Sequence, residues 1–172
     1  ISKSSLTGFD ELNTAKELSS LFILLGKYST TENLLTGLIR DYEKLYGSNS
    51  LRLIEPLVNM GQLKLAEGDY TNAEKIALKV NGLAREVYGE QSTKTAPTQK
   101  LLSDIYYTIG DYDKAQVYIQ RAIDSQQKQF GRNHIEVAKS ISQLALIRFH
   151  KKDDPVVVEK LLVEARDIMG TK

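Results

Sequence analysis

The hexapeptide Gly110-Asp111-Tyr112-Asp113-Lys114-Ala115 returns as Gly68-Asp69-Tyr70-Thr71-Asn72-Ala73 and, in shortened form, as Gly26-Lys27-Tyr28, each time 42 residues away. A second marker keeps the same period at another phase: Tyr46-Gly47, Tyr88-Gly89 and Phe130-Gly131. Two markers on one period define a repeat array, in which no unit buries its apolar stripe alone and each must stack on the next.

Within the repeats the apolar residues step by three and four, the period of an amphipathic helix. Phe9, Leu12, Ala15, Leu18, Phe22 and Leu25 predict a helix from about Thr7 to Leu25, after a polar start over residues 1–6. Gly26 stops it, and Leu34, Leu35, Leu38, Ile39, Tyr42 and Leu45 predict a return helix ending at Gly47. The pattern repeats from about Ser50 to Gly68 and on to Gly89, then from about Thr95 to Ile109 and Tyr112 to Phe130. Asp69 and Asp111 stand as N-caps of the second helices. Pro56 and Pro97 fall early in first helices, so those helices are expected to begin late or bend. A fourth unit opens at Asn133-His134-Ile135-Glu136, where Asn133 and Glu136 have capping-box spacing. Its turn is altered: Lys152 replaces the glycine, Asp154-Pro155 starts the last helix, and the step from Ala122 to Ala165 is 43.

The expected fold is therefore all-α, an α-α superhelix of four antiparallel helix pairs. A single array over residues 1–172 is expected, with repeats at about 7–47, 50–89, 92–131 and 133–170. The chain opens on Ile1 and is read as a piece of a longer protein. Its final helix carries Val156, Val157, Val158, Leu161, Leu162, Val163 and Ile168, an apolar flank that calls for a neighbour.

Composition narrows the function. With 23 basic and 22 acidic residues the net charge is +1, which gives no field for nucleic acid or an anionic membrane. The longest strongly apolar run, Leu21 to Leu25, is too short to insert in a bilayer. Absence of cysteine excludes disulfides and thiolate chemistry and fits cytosol and exterior equally. The sequence has no phosphate loop, no Gly-x-Ser-x-Gly and no His-Glu-x-x-His. Neither His134 nor His150 has a second ligand beside it. No enzyme, cofactor or metal site is expected.

The turn pattern of glycine, acid, tyrosine and a later alanine resembles that of the tetratricopeptide repeat family. The 42-residue period is similar to its long-helix variant, typified by kinesin light chains. Gly131, His134, Val137, Ala138, Leu144 and Ala145 fit that variant's opening pattern, and Ser19, Gly61, Ser103 and Ala145 fill its small first-helix position. Phe22 and Tyr106 fill its aromatic position, whereas Lys64 and Arg148 depart from it. The resemblance implies that first helices line a concave groove. Carried over by register, the groove residues are Lys16, Ser20, Ile23, Asn59, Gln62, Leu65, Lys100, Asp104, Tyr107, Gln143, Leu146 and Phe149. Ile23, Leu65, Tyr107 and Phe149 form an apolar column that either takes ligand side chains or packs first helices together. Lys16 and Lys100 suggest an acidic peptide or a C-terminal carboxylate, although Asp104 at i,i+4 spacing from Lys100 offers it a local partner. The resemblance implies a protein-interaction scaffold; alternatives are self-association through the C-terminal helix and a regulatory module beside another domain.

Overall fold

The computed structural model describes residues 17–170. Among them the regular structure is helical throughout: α1 (the helical residues 17–24), α2 (Tyr28–Tyr46), a 3-10 turn (Leu51–Leu53), α3 (Ile54–Ala66), α4 (Tyr70–Tyr88), α5 (Ala96–Thr108), α6 (Tyr112–Phe130), α7 (Ile135–His150) and α8 (Pro155–Gly170). This is an all-α helical repeat fold. The chain divides into two compact units between Leu83 and Ala84, inside α4. The expected helical turns over residues 7–16 and the groove residue Lys16 lie outside the described residues.

Every first helix ends in the same hydrogen-bonded stop. Gly110 N donates to Tyr107 O (3.1 Å) and Asp111 N to Tyr106 O (2.8 Å), the paired bonds that satisfy terminal carbonyls when one residue turns left-handed. The same two bonds recur at Gly26 and Lys27, at Gly68 and Asp69, and at Lys152 and Asp153. Gly26, Gly68 and Gly110 have φ of +68, +80 and +83°, and Lys152 adopts φ 61° in their place. The 42-residue beat therefore persists through Lys152, and the extra residue falls after it.

Three of the second helices, α4, α6 and α8, are started by acids, whereas α2 follows Lys27 with no side-chain cap. Asp111 accepts from Lys114 N (3.1 Å), Asp69 from Asn72 N (3.3 Å) and Asp154 from Val156 N (2.9 Å). At α7 the expected cap differs. His134 Nδ1, not Asn133, accepts from Glu136 N (3.2 Å), and its ring stacks on Phe130 with centroids 4.5 Å apart. That stacking fixes the imidazole where a small asparagine side chain would have no such support. The two prolines behave as their missing amide hydrogens require: a 3-10 turn precedes α3 and places Pro56 in its first turn, and α5 carries Pro97 at its start.

In the first unit, Leu35, Met60 and Leu63 form a buried cluster, with Ile23, Tyr28, Leu34, Ile39 and Ile76 packed around it. In the second, α5 packs on α6, α6 on α7 and α7 on α8. The interior is filled by Leu101, Leu102, Ile105, Ile119, Ile123, Val137, Ile141 and Ile147. Ser19, Ser103 and Ala145 are buried at the small position, and Gly61 also lies buried. Ser103 shows why this position stays small, since its hydroxyl donates across the pair to Ala115 O at 2.9 Å. Polar pairs join the interior: Ser140 Oγ donates to Gln126 Oε1 (2.8 Å) between α7 and α6.

The departures from the aromatic position have a physical account. Tyr106 stacks on Tyr118 of the paired helix, with centroids 5.6 Å apart. Lys64 instead donates to Glu32 (2.5 Å) on α2 and to Glu67 (2.9 Å), and the Glu32 bond first, then the Glu67 contacts, raise its pKa against the opposing effect of burial. Arg148 reaches Asp153 at 3.6 Å. Ring stacking is replaced by charge pairing at one register.

Candidate functional site

The residues expected to line a groove are distributed between the two units, and each unit presents its own share. In the first, Ser20 and Gln62 are exposed, and Leu65 is half-buried. Ile23 packs against the Leu35–Met60–Leu63 cluster, so its side chain serves the core. Asn59 is only 5% exposed, so this expected groove residue is turned away from solvent.

The second unit brings six of the residues onto one face formed by α5 and α7. Lys100, Asp104 and Tyr107 succeed one another along α5 at spacings of four and three. Gln143, Leu146 and Phe149 succeed one another along α7 at spacings of three; Leu146 and Phe149 are exposed, and the other four of the six are half-buried. The two helices are tied together at the middle of the face: Gln143 Nε2 donates to Asp104 Oδ1 and, at 3.3 Å, to Ser103 Oγ. Leu146 is 47% and Phe149 64% exposed, whereas Val137, Ala138, Ile141, Leu144 and Ile147 on the opposite side of the same helix are buried.

The end of this face is aromatic. Tyr107 lies 5.7 Å from Tyr112 and 5.4 Å from His150, centroid to centroid, and His150 stacks on Tyr112 at 5.6 Å. Phe149 meets His150 edge-on at 5.5 Å. His150, which stands in the sequence only as a histidine with no second ligand beside it, joins these rings in the fold. The signal was available in its 42-residue offset from Thr108, next to Tyr107, but one histidine carries too little information alone. Tyr112 is half-buried in the ring cluster, in keeping with a packing role at the turn.

Electrostatics divide the face. Burial pushes the Asp104 carboxyl up to about 6, while Lys100 and the Gln143 hydrogen bond pull in the opposite direction. Glu136, at the start of α7, is held below its usual range by its 2.7 Å bond to Lys139, against a smaller effect of burial, with Lys100 adding to the lowering. The expected Lys100–Asp104 pair is thus a coupling through space and not a direct ion pair among the described residues. No group of three or more metal-ligating side chains occurs among the described residues, and no described helix is long and apolar enough to cross a membrane.

Helix pairs joined by a left-handed stop, repeated every 42 residues with a small residue at each crossing, define the class as a helix-pair repeat protein. Residues 52–128 match the family model described as Tetratricopeptide repeat. Among solved structures it is similar to BtubC (BKLC) from P. vanneervenii, with 18% identity and a TM-score of 0.78. The alignment covers 92% of this chain and 63% of that one, so the chain spans less than two thirds of BtubC's length. It is also similar to nearly identical TPR-like repeats of a Podosopora anserina protein named for kinesin light chain, at 14% identity and a TM-score of 0.60, covering 92% of this chain and 94% of that one. At these identities the likeness is one of fold. No curated protein matches the sequence significantly.

Proposed function

We propose that this protein is a non-enzymatic interaction scaffold that holds a peptide segment or helix of a protein partner on the exposed faces of its first helices. The α5–α7 face is the principal seat. The observation that carries the reading is the exposure of Leu146 and Phe149 on the side of α7 that packing does not use, next to the ring cluster in which His150 meets both Phe149 and the half-buried Tyr107. Aromatic anchors of this kind dominate binding energy at protein interfaces. Lys100 stands on the same face of the second unit, and Ser20, Gln62 and Leu65 belong to the first unit by itself.

The test is selection of binders from a displayed random-peptide library on the intact chain. Tyr107→Ala and Phe149→Ala are each expected to weaken selected binders by about 1–2 kcal/mol, roughly five- to thirtyfold in Kd. Thermal melting should stay nearly unchanged in Phe149→Ala and fall modestly in Tyr107→Ala, whose ring also packs on Tyr112 and His150. Binders indifferent to both variants, or no binders at all, would remove this reading.

One observation favours a second mode of association. Leu162 of α8 is 50% exposed at the place where α6 carries the fully buried Ile119. The α8 flank, with Val156 and Val163 also exposed, offers a surface for a second copy or an adjoining domain.

A further inference from the structure

Asp104 is a half-buried carboxylate on the α5–α7 face with no direct cationic partner among the described residues. Its known polar contacts are few. Gln143 donates one amide hydrogen to Oδ1, and Lys100 acts on it only at a distance. Lys100 is also shared, because it acts on Glu136 as well.

The charges on the helices packed around this face are engaged elsewhere. On α7, Lys139 bonds Glu136 at 2.7 Å and Arg148 pairs with Asp153 at 3.6 Å. On α6, Lys114 pairs with Asp111 at 2.9 Å and Asp113 with Lys151 at 2.7 Å. One turn beyond Asp104, on the same side of α5, stands the Tyr107 ring. A carboxylate short of positive charge next to an aromatic ring is complementary to a cation on an apolar stem: the head pairs with the acid while the stem or guanidinium plane lies on the ring.

We propose that the α5–α7 face recognises a basic side chain of its partner, arginine or lysine, seated with its charge on Asp104 and its stem against Tyr107. This rests on the scaffold reading above and specifies the partner chemistry for it. It departs from the acidic partner that Lys100 suggests in the sequence, since Lys100 becomes a competitor for Asp104 and not the anchor.

The protonation state follows. With its carboxyl pushed up to about 6, Asp104 is ionised at pH 7.5 and largely neutral at pH 5. A cation pairs with the ionised form alone, so binding draws the pKa down and weakens by about tenfold between pH 7.5 and 5. His150, 5.4 Å from Tyr107, is the other titratable side chain beside the ring, and the Asp104→Asn variant separates its contribution.

The experiment is an NMR titration of the isotopically labelled intact chain with N-acetyl-arginine amide, N-acetyl-lysine amide, and their glutamine and glutamate counterparts at fixed ionic strength. The basic probes are expected to shift the signals of Asp104, Tyr107 and Gln143 at pH 7.5, more strongly than the glutamine probe. The effect should fade at pH 5 and be lost in Asp104→Asn, whose unchanged signal dispersion elsewhere reports an intact fold. Lys100→Glu should strengthen it. The proposal is overturned if the basic probes leave this face unmoved, if the glutamate probe acts more strongly, or if Asp104→Asn retains the binding or its pH dependence. Library binders that lack basic residues yet depend on Tyr107 and Phe149 would also overturn it while leaving the scaffold reading intact.

Discussion

α6 and α8 are the second helices of successive repeats, both started by an aspartate after a left-handed stop and both packed on α7, yet they are buried to different depths. α6 buries Ala115, Ile119, Ala122, Ile123, Ser125 and Gln126. α8 buries only Val158 and Ala165. With the extra residue counted, Val158 stands in the place of Ala115, Leu162 in that of Ile119 and Ala165 in that of Ala122. Their apolar patterns are alike; their neighbours are not. α6 has α5 on one side and α7 on the other, while α8 meets α7. Burial in a repeat array is a property of the interface and not of the helix, which is the physical content of nearest-neighbour stability.

The sharpest way to break this comparison is a charge at the tightest crossing. Ala115→Arg is expected to destabilise by about 4 kcal/mol or more, because the guanidinium has no room and no partner between α5 and α6, whereas Val158→Arg should lose roughly half as much. Urea denaturation of the two variants reads the difference directly, and equal losses would mean that α8 is as enclosed as α6. Next in size is the pair one turn further on. Ile119→Glu is expected to destabilise by about 3 kcal/mol and Leu162→Glu by less than about 0.5 kcal/mol. If the α8 flank associates, Leu162→Glu will instead abolish a concentration-dependent mass in light scattering. A chain whose mass is independent of concentration before the substitution dismisses that association.

The smallest effect concerns the stops. A Cβ at Gly110 meets nothing within 4 Å, so Gly110→Ala would be penalised for its φ of +83° alone, by about 1 kcal/mol. Lys152, at φ 61°, already carries that strain, and Lys152→Gly is expected to return about 0.5 kcal/mol, offset in part by the freedom glycine gains when unfolded. Melting curves of the two variants should shift in opposite directions.

Much of this was legible because glycine, aspartate and small residues report local geometry. Gly110 and Asp111 mark the end of one helix and the start of the next whatever surrounds them, and α6 runs from Tyr112 to Phe130 as the pattern predicts. Position within a side-chain network is not local. Asn133 has the spacing of a cap, but the Phe130 ring selects His134, and only the folded turn brings those rings together. Asn59 and Gln143 occupy the same register, yet one is buried and the other reaches Asp104. Lys64 looks like a lost aromatic until Glu32, 32 residues earlier, is seen to receive it.

The bond between Ser140 and Gln126 also bears on how the chain finds its fold. Neighbouring repeats so alike in apolar pattern are prone to pair with the wrong helix. Ala84 and Met169 take the place of Gln126 in α4 and α8, and Thr98 and Pro56 that of Ser140 in α5 and α3. An α7 docked on another helix would bury its serine without that amide, and α6 would strand a glutamine, each mispairing costing about 1–3 kcal/mol. The pair thus works as an address: two polar atoms distinguish the correct neighbour where the hydrophobic stripes hardly can.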